Sequence, residues 1–477
     1  MCLFPLSAQR SFFMCFTMSK NKLKATAPLT DMITIIPNRL YWTSLDNPPE
    51  SSSTVHYFSI DDIFVYEPFY QDFGPLDLGC TYRYCRLVLE ELNEATANDG
   101  IVVHYCSCFP EKRTNSVYLI CAFQVIILNQ KAADAFAPFK NIHPSLLDFR
   151  DASFGDCAYR LPVLHFLKGL ELAIHLLIRM INEAVSTLYI LIAIYQWSIL
   201  YILDPSVHYL MHTLGWFSFD SFDLGEYEYY SQIENGDLNW IIPGKFIAFS
   251  SPLSEDAEEG EFEGINAKEY VGIFKKLNVT SVIRLNKQLY DRNIFVKNGI
   301  KHFDLYFADG SCPSRDIIQE FLRISEGQEG AIAVHCQAGL GRTGSLIGCY
   351  GIKKYRFPAS YWIAWNRICR PGSVLGLQQY FLNAYQNELF TFEDENISID
   401  RLPSGALPDT LEQQLTNLSI EENEKQEEPS EGKLLSLSKW RRSSLSSNLK
   451  GLILGNSWKS IAGKDSSPCS PSKERGQ

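Results

Sequence analysis

The pattern of apolar and polar positions divides the chain into two blocks that share one rhythm. In each block an apolar, β-branched run (residues 101–104, then 331–335) leads into a short loop, and an apolar helical stretch follows the loop (residues 117–128, then 346–355). Runs of this length and composition are typical of a buried strand followed by a buried helix. The pattern therefore predicts a strand, loop and helix unit that occurs twice.

The second block shows more of the same alternation. VTSVIRLN (residues 279–286) and IKHFDLYF (residues 300–307) predict strands, and SRDIIQEFLRISEG predicts a helix capped by Ser314. Parallel strands joined by helices imply an α/β fold with a central sheet flanked by helices. Ligands of such folds bind at the carboxyl ends of the strands, which is where the loop after His335 lies.

Length and composition limit the number of domains and exclude several classes of protein. A chain of 477 residues is too long for one core, so we expect two or three domains. The net charge of −12 argues against a nucleic-acid binder, because such proteins neutralise phosphates with basic residues. The thirteen cysteines are scattered and odd in number, so we expect reduced thiols and neither a disulfide framework nor a metal site.

The loop AVHCQAGLGRTGS, residues 333–345, carries the most specific chemistry in the chain. Its three glycines allow the backbone to curl with the N–H groups inward at the start of a helix, which makes an anion site. The same positive field favours the thiolate of Cys336, and the guanidinium of Arg342 can bind two phosphoryl oxygens. A nucleotide-binding loop needs a Lys-Ser/Thr pair at the helix start, and here the pair is Arg342-Thr343. The loop therefore predicts a cysteine nucleophile inside a phosphate pocket, whose phosphate-binding residues are Gln337, Ala338, Gly339, Leu340, Gly341 and Arg342.

A thiolate that attacks phosphorus needs a general acid to protonate the leaving oxygen. We favour Asp309 in LYFADGSCP, because it follows a predicted strand on a loop that could close over the pocket. Asp304 is the alternative, but it alternates with apolar residues inside that strand. Thr343 could donate a hydrogen bond to the departing sulfur. The amides of Gln378 and Gln379 could position water for the second step, although a pair of glutamines is also an ordinary surface feature.

HCQAGLGRTGS, preceded by FADGS and followed by ICRPGSVLG and QQ, resembles the cell-division-cycle-fourteen family of dual-specificity phosphatases. Further matches are HYFSIDD, DFGPLDLG, FRDASFGDC and ENGDLNWIIPGKFIAF. The resemblance implies two tandem phosphatase-like domains, of which only the second keeps the catalytic loop. In IVVHYCSCFPEKRTNS, the first copy, Phe109, Pro110 and Glu111 replace glycines, and the interval from Cys106 to Arg113 is one residue too long. That copy cannot cradle phosphate.

Composition and the resemblance together predict an organisation, and the resemblance also implies a substrate. We expect a disordered leader (1–30), an N-terminal phosphatase-like domain (31–176), an apolar insertion (177–214), a linker helix (215–235), a catalytic domain (236–392) and a disordered regulatory tail (393–477). The implied activity is metal-free and cofactor-free hydrolysis of phosphoserine, phosphothreonine and phosphotyrosine in mitotic proteins, with a preference for phosphoserine-proline followed by a basic residue. An acidic groove would bind that basic residue of the substrate, and the candidate groove residues are Glu226, Glu228, Glu234 and Asp237. The alternative is a non-catalytic phosphoprotein-binding or scaffold protein, inactivated by the insertion.

Three departures from the family pattern stand out. FPASYWIAWNRIC occupies the helix before Arg370, Leu377 follows Gly376 in place of proline, and Tyr380 replaces a third glutamine. The largest departure is the insertion, in which residues 184–203 (AVSTLYILIAIYQWSILYIL) contain no charge over a length that could span a bilayer. A single span would place the two halves of one phosphatase on opposite sides of a membrane, so we favour an inserted segment with no membrane role over a membrane anchor.

The tail suggests partners and a location. Leu411, Leu415, Leu418 and Ile420 are spaced as in a nuclear export signal, although an amphipathic turn gives similar spacing. Ser467-Pro468 and Ser470-Pro471 resemble sites of proline-directed kinases. From the resemblance and these signals we expect substrates of such kinases as partners and a location in the nucleus and cytoplasm.

Overall fold

The computed structural model describes residues 32–52, 54–97, 99–176, 215–253, 264–392 and 434–436. The insertion with its charge-free run, the leucines of the expected export signal and the serine-proline sites lie outside these residues. Within them, no helix has both the length and the apolar character needed to cross a bilayer.

The N-terminal half is built around a four-stranded sheet with the strand order β1-β2-β4-β3. The first two strands are antiparallel, whereas β4 pairs in parallel with both β2 and β3. Its strands are β1 (Ile33–Ile36), β2 (Leu40–Ser44), β3 (Val55–Phe58) and β4 (Ile101–Cys106). Its helices are α1 (Leu78–Thr96), α2 (Pro110–Ile126), α3 (Ala132–Phe136) and α4 (residues 163–176).

The second half repeats this topology with one strand added. Its sheet has the order β5-β6-β9-β7-β8, in which β5 and β6 are antiparallel and the remaining neighbours are parallel. The strands are β5 (Leu238–Ile242), β6 (Phe246–Phe249), β7 (Val279–Arg284), β8 (Lys301–Asp304) and β9 (Ala331–His335). The helices are α5 (Leu224–Tyr230), α6 (Ala267–Lys276), α7 (Asn293–Val296), α8 (Arg315–Gly327), α9 (Gly341–Tyr355), α10 (Ala359–Cys369) and α11 (Leu377–Thr391). The predicted α/β class with two tandem sheets is confirmed.

The local predictions hold for element type and differ at the boundaries. The Ser314 hydroxyl accepts a hydrogen bond from the Ile317 amide and caps α8, as predicted. Helices α2 and α9 both begin several residues before the apolar stretches that predicted them. Their first turns are small or polar, so hydrophobic periodicity could not detect them, and in the second half that first turn belongs to the phosphate loop.

One apolar core continues across the two halves of the chain. Helix α4 of the first half packs closely on α10 of the second. A Cβ at Gly169 would lie 2.6 Å from the carbonyl oxygen of Tyr361 and 3.1 Å from the amide of Trp365. The Tyr227 hydroxyl in α5 donates to the Cys369 carbonyl at 3.0 Å, and the Trp216 ring stacks on Phe357 at 5.5 Å. The close approach of α4 to α10 and the shared core hold the two sheets in place relative to each other.

Candidate active site

The loop between β9 and α9 holds Cys336 at the carboxyl end of the central strand of its sheet. The cysteine side chain is 3% exposed. Gly339 lies in the loop at φ +67°, and a Cβ there would lie 2.0 Å from the carbonyl oxygen of Phe249. Both the backbone angle and the lack of space require glycine at this position. The loop therefore passes tightly against β6 before α9 begins.

Four successive carbonyl groups of this loop are bonded on its outer side. The oxygens of Gln337 and Leu340 accept from the amides of Ser251 and Gly344 at 2.9 and 3.0 Å, and the oxygens of Ala338 and Gly339 accept from the Arg370 guanidinium at 3.1 and 2.9 Å. In a trans peptide the N–H points away from the C=O. The amides that follow these carbonyls therefore turn toward the inside of the loop, next to the N-terminus of α9, as an anion site requires.

Arg370 is a functional residue that the sequence reasoning missed. Its side chain is 2% exposed, and besides the two loop carbonyls it binds Asn239 Oδ1 at 2.7 Å and Asp237 Oδ1 at 3.0 Å. The expectation that Asp237 reads a basic residue of the substrate needs correction here, because this carboxylate is buried and already paired with Arg370. Its role is to hold the arginine that shapes the phosphate loop. Since these partners are distant in sequence, spacing carried no signal of the contact.

Asp309 lines the same pocket as Cys336 and is paired with Arg342. Arg342 Nη2 lies 2.9 Å from Asp309 Oδ1, and Arg342 Nη1 donates to the Phe307 carbonyl at 3.0 Å. Asp309 and Cys336 both line this pocket. The alternative acid, Asp304, is engaged elsewhere, because its carboxylate binds the guanidinium groups of Arg284 at 2.7 Å and Arg292 at 3.0 Å. Geometry therefore supports the preference for Asp309.

A buried chain of hydrogen bonds supports Cys336 from behind. His335 Nδ1 lies 2.9 Å from the Cys336 carbonyl, and Tyr290 Oη lies 2.7 Å from His335 Nε2 and 2.9 Å from His302 Nε2. Burial lowers the pKa of both histidines to about 3, so both are neutral at physiological pH. A carbonyl can only accept, so His335 carries its proton on Nδ1, Tyr290 donates to His335 Nε2, and His302 Nε2 donates to Tyr290. One proton order satisfies every bond in the chain.

The two glutamines of the second half have different environments. Gln378 lines the pocket with Cys336. Its Nε2 donates to the Ser311 carbonyl at 3.2 Å, on the loop that carries Asp309, and its Oε1 accepts from the Leu375 amide at 3.3 Å. Gln379 is bonded at both ends of its amide, because its Oε1 accepts from Arg367 at 2.6 Å and its Nε2 donates to Asp151 at 2.8 Å. Of the pair, Gln378 is the one placed to contact water or phosphate.

Thr343 and Arg342 each keep a polar atom available for the reaction. Among the described residues, the Thr343 hydroxyl and Arg342 Nε are buried without a hydrogen-bond partner. An unpaired buried hydroxyl is unfavourable, so such a group calls for a specific explanation. A hydrogen bond from Thr343 to the departing sulfur would supply one.

The remaining groove candidates lie on and just after α5. Glu228 makes two bonds of 2.7 Å with the Arg83 guanidinium, which links α5 to α1. Its carboxylate therefore joins the two halves of the chain. Glu226, in the first turn of α5, and Glu234 are exposed. These two are the acids of the set that face solvent.

The first copy of the loop carries its own carboxylates where the second would bind an anion. Asp61 Oδ2 accepts from the Ser107 amide and Asp46 Oδ1 from the Cys108 amide, both at 2.8 Å. Burial raises the pKa of the Cys106 thiol to about 12, so this cysteine remains a thiol. These carboxylates would repel a phosphate. The prediction that this copy cannot cradle phosphate thus gains a physical reason beyond its spacing.

A residue from far along the chain completes the pocket. Leu435 is 1% exposed and lines the pocket together with Cys336, Asp309 and Gln378. It packs in an apolar collar formed by residues of both halves, which are Phe69, Ala152, Ala338, Leu340 and Leu375. Composition alone predicted only a disordered tail there and gave no indication of this contact.

Comparisons with known proteins agree with the geometry of both halves. Residues 34–173 match the family described as the N-terminal half of dual specificity protein phosphatase, and residues 259–355 match a family described as a polymorphic toxin system DSP-PTPase phosphatase. The first match spans the first sheet from residue 34 onward, and the second covers β7, β8 and β9 of the second sheet together with the loop that holds Cys336.

Individual relatives match across both halves. Dual specificity protein phosphatase CDC14A of Mus musculus is 44% identical over 75% of this chain and 53% of its own length, so the chain spans about half of that relative. CDC14B of Mus musculus is 37% identical over 83% of this chain and 76% of its own length. Tyrosine-protein phosphatase cdc-14 of Caenorhabditis elegans is 34% identical over 76% of this chain and 47% of its own. The chain therefore belongs to the CDC14 family of dual specificity protein phosphatases.

Proposed function

We propose that this protein hydrolyses phosphate esters of serine, threonine and tyrosine in other proteins through a phosphocysteine at Cys336. The thiolate attacks phosphorus, the bond from phosphorus to the ester oxygen breaks, and Asp309 gives that oxygen its proton. Water then attacks the phosphocysteine and passes a proton to Asp309, the S–P bond breaks, and phosphate leaves. Arg342 and the inward amides stabilise the charge on the phosphoryl oxygens in both steps.

The observation that carries this proposal is that Cys336 and Asp309 line one pocket and that Arg342 is paired with Asp309. The nucleophile Cys336 lies at the base of an amide-lined loop, Arg342 stands at the other end of that loop, and Asp309 is 2.9 Å from Arg342. Because Arg342 is also the proposed ligand of the phosphoryl group, its pair with Asp309 places the acid next to the position of that group. Membership of the CDC14 family supports the same chemistry.

The two chemical steps can be separated with 4-nitrophenyl phosphate in a stopped-flow instrument. We expect a burst of 4-nitrophenolate equal to the enzyme concentration, followed by slower steady turnover. Cys336→Ser should abolish both phases. Cys349→Ser is a matched control, because Cys349 is a buried cysteine of the same domain, in α9. Activity that survives in Cys336→Ser would contradict the proposal, and stoichiometric phosphopeptide binding without turnover would indicate the scaffold function instead.

We further propose a preference for phosphoserine-proline followed by a basic residue, in substrates of proline-directed kinases that act in mitosis. The family resemblance supports the motif, and Glu226 and Glu234 are the exposed acids of the groove candidates. Opposite charges near a surface contribute modestly and are screened by salt.

A peptide series tests this preference. A phosphoserine-proline peptide with a downstream lysine should have a higher kcat/KM than the same peptide with glutamate in place of lysine, and the difference should shrink as salt is added. The double variant Glu226→Gln, Glu234→Gln should reduce the difference, whereas Glu329→Gln, an exposed acid elsewhere, should preserve it. Equal discrimination by all three proteins would remove these acids from the proposal.

A further inference from the structure

Asp151, in the first half of the chain, reaches the second half at the start of α11. Its side chain is 2% exposed. The Ser153 hydroxyl donates to its Oδ1 at 2.7 Å, and Arg150 Nε donates to its backbone carbonyl at 3.1 Å. Arg150 also binds the Ser153 and Gly155 carbonyls and the Gln71 side chain. These bonds hold the loop around Asp151 in place, and they leave the second carboxylate oxygen, Oδ2, pointing away from the loop.

The other carboxylate oxygen of Asp151 binds two groups next to the pocket. Oδ2 accepts from the Gly376 amide at 2.6 Å and from Gln379 Nε2 at 2.8 Å. Gly376 is the N-cap residue of α11 and has no side chain with which to cap the helix. A carboxylate at a helix N-terminus is also favoured by the helix dipole. The first half of the chain thus supplies the anchor for the helix that begins with Gln378.

We propose that Asp151 is a positioning residue for the second chemical step, hydrolysis of the phosphocysteine, which rests on the function proposed above. Gln378 lines the pocket with Cys336, and its Oε1 lies 2.6 Å from where a Cβ on Gly341 would be. Asp151 and Arg367 hold the Gln379 side chain, and Asp151 also holds the Gly376 amide. These bonds fix the first turn of α11, which carries Gln378. Gln378 then orients the water that attacks phosphorus, and the S–P bond breaks as described.

The test measures the two steps separately with 4-nitrophenyl phosphate. Asp151→Ala should leave the burst rate within about twofold and lower the steady rate by roughly 10- to 100-fold, the range that small misplacements of a reacting group produce. Gln378→Ala should give the same split, and the double variant should be no slower than Gln378→Ala alone, because both changes remove one function. Asp151→Asn keeps an acceptor oxygen for both bonds and should restore most of the steady rate.

Controls separate positioning from stability. Asp77→Ala removes a carboxylate of the same half, which caps α1 by accepting from the Cys80 amide at 2.8 Å, and should change neither step selectively. If Asp151→Ala does not fold, Gln379→Leu breaks the same contact from the other side and should give the same split. Equal slowing of both steps, no slowing, or an Asp151→Asn protein as slow as Asp151→Ala would overturn the role. A wild-type protein without a burst would instead refute the proposed function itself.

A second, independent observation concerns Leu435, whose side chain lies where a phosphorylated side chain must enter. The collar around it is apolar, and leucine offers nothing to the inward amides or to Arg342. Burial of the Leu435 side chain is therefore stabilised by apolar contact with the collar. An apolar contact of this kind gives the anion site no counter-charge, so a phosphorylated ligand that binds the amides and Arg342 can displace it.

We infer that residues 434–436 cover the pocket of the free enzyme and compete with substrate. In the full chain, Leu435→Ala should raise kcat/KM for 4-nitrophenyl phosphate severalfold through a lower KM, with kcat nearly unchanged. Leu418→Ala, a tail leucine outside the described residues, is the control and should behave as wild type. The peptide SEGKLLSLSKW (residues 430–440) should inhibit Leu435→Ala competitively, and its variant with alanine at position 435 should not. Unchanged KM in Leu435→Ala, or no competition by the peptide, would overturn the inference.

Discussion

Replacing Arg370 tests whether its hydrogen bonds to the Ala338 and Gly339 carbonyls hold the phosphate loop in shape. Arg370→Met keeps much of the buried volume and removes every hydrogen bond of the guanidinium. It leaves the Asp237 carboxylate, which is 6% exposed, without its cation, and it releases the Ala338 and Gly339 carbonyls. Removing one partner of a buried ion pair costs about 3–5 kcal/mol, mostly from the unpaired charge that remains. The single variant should therefore lose stability and activity together.

A double variant separates these two losses. Asp237→Asn removes the unpaired charge. The double variant Arg370→Met, Asp237→Asn should therefore recover most of the about 3–5 kcal/mol of stability that the single variant loses. It does not return the Ala338 and Gly339 carbonyls to their positions, so the amides that face phosphate stay misaligned. The loss of a single well-placed donor lowers turnover by roughly 10²- to 10³-fold. We expect kcat/KM to stay reduced by at least about 10²-fold in the double variant.

Urea unfolding followed by circular dichroism measures the stability, and 4-nitrophenyl phosphate measures kcat/KM at a urea-free condition in which each variant is folded. Asp237→Asn alone is the control for the second substitution. The reasoning is refuted if the double variant recovers activity along with stability, because Arg370 would then stabilise the fold and contribute nothing to the loop. It is also refuted if the single variant loses no stability.

The remaining predictions concern the acid, the loop and the buried histidines. Asp309→Asn should lower kcat for a phosphoserine peptide by about 10²- to 10⁴-fold and for 4-nitrophenyl phosphate much less, because nitrophenolate leaves without a proton; an equal loss on both substrates would contradict the role of Asp309. Gly339→Ala should abolish turnover, because the new Cβ would lie 2.0 Å from the Phe249 carbonyl, and the assay is the same burst measurement; retained activity would show that the loop adapts. Burial lowers the pKa of three histidines from 6.5 to about 3, namely His104, His302 and His335. A lowered histidine pKa gives stability that is present above the unfolded value and is lost as pH falls below it, at about 1.4 kcal/mol per histidine near pH 5.5. The free energy of unfolding in urea should therefore drop by about 4 kcal/mol from about pH 7.5 to about pH 5.5, and a flat profile would contradict the burial of these rings in the neutral form.

The first half of the chain contributes to the site of the second, although carboxylates bind the amides of its own loop. Asp46 and Asp61 hold amides of that loop, whereas Asp151 and Phe69 from the same half reach the pocket of the second. Arg83 also binds Glu228 across the two halves. The first half of the chain thus contacts and supports the pocket of the second.

The sequence by itself determined the repeated strand, loop and helix unit, the α/β class and the candidate nucleophile with its arginine. These features are local: the periodicity lies within one element, and the loop from Cys336 to Arg342 closes within a few residues. The preference for Asp309 over Asp304 also came from local pattern, since Asp304 alternates with apolar neighbours inside a strand.

Only the tertiary structure decided which polar side chains face the pocket. Sequence spacing treated Gln378 and Gln379 alike, but one lines the pocket and the other binds Asp151, which lies 228 residues away. Sequence spacing also grouped Asp237 with the exposed acids. In the structure its carboxylate is buried and paired with Arg370, which is too far along the sequence for a local pattern to reveal the contact. Leu435 entered the site from a stretch whose composition predicted only disorder. The physical reason is the same in each case: a hydrogen bond or an apolar contact between distant residues depends on how the two halves pack, and that packing is a property of the whole fold.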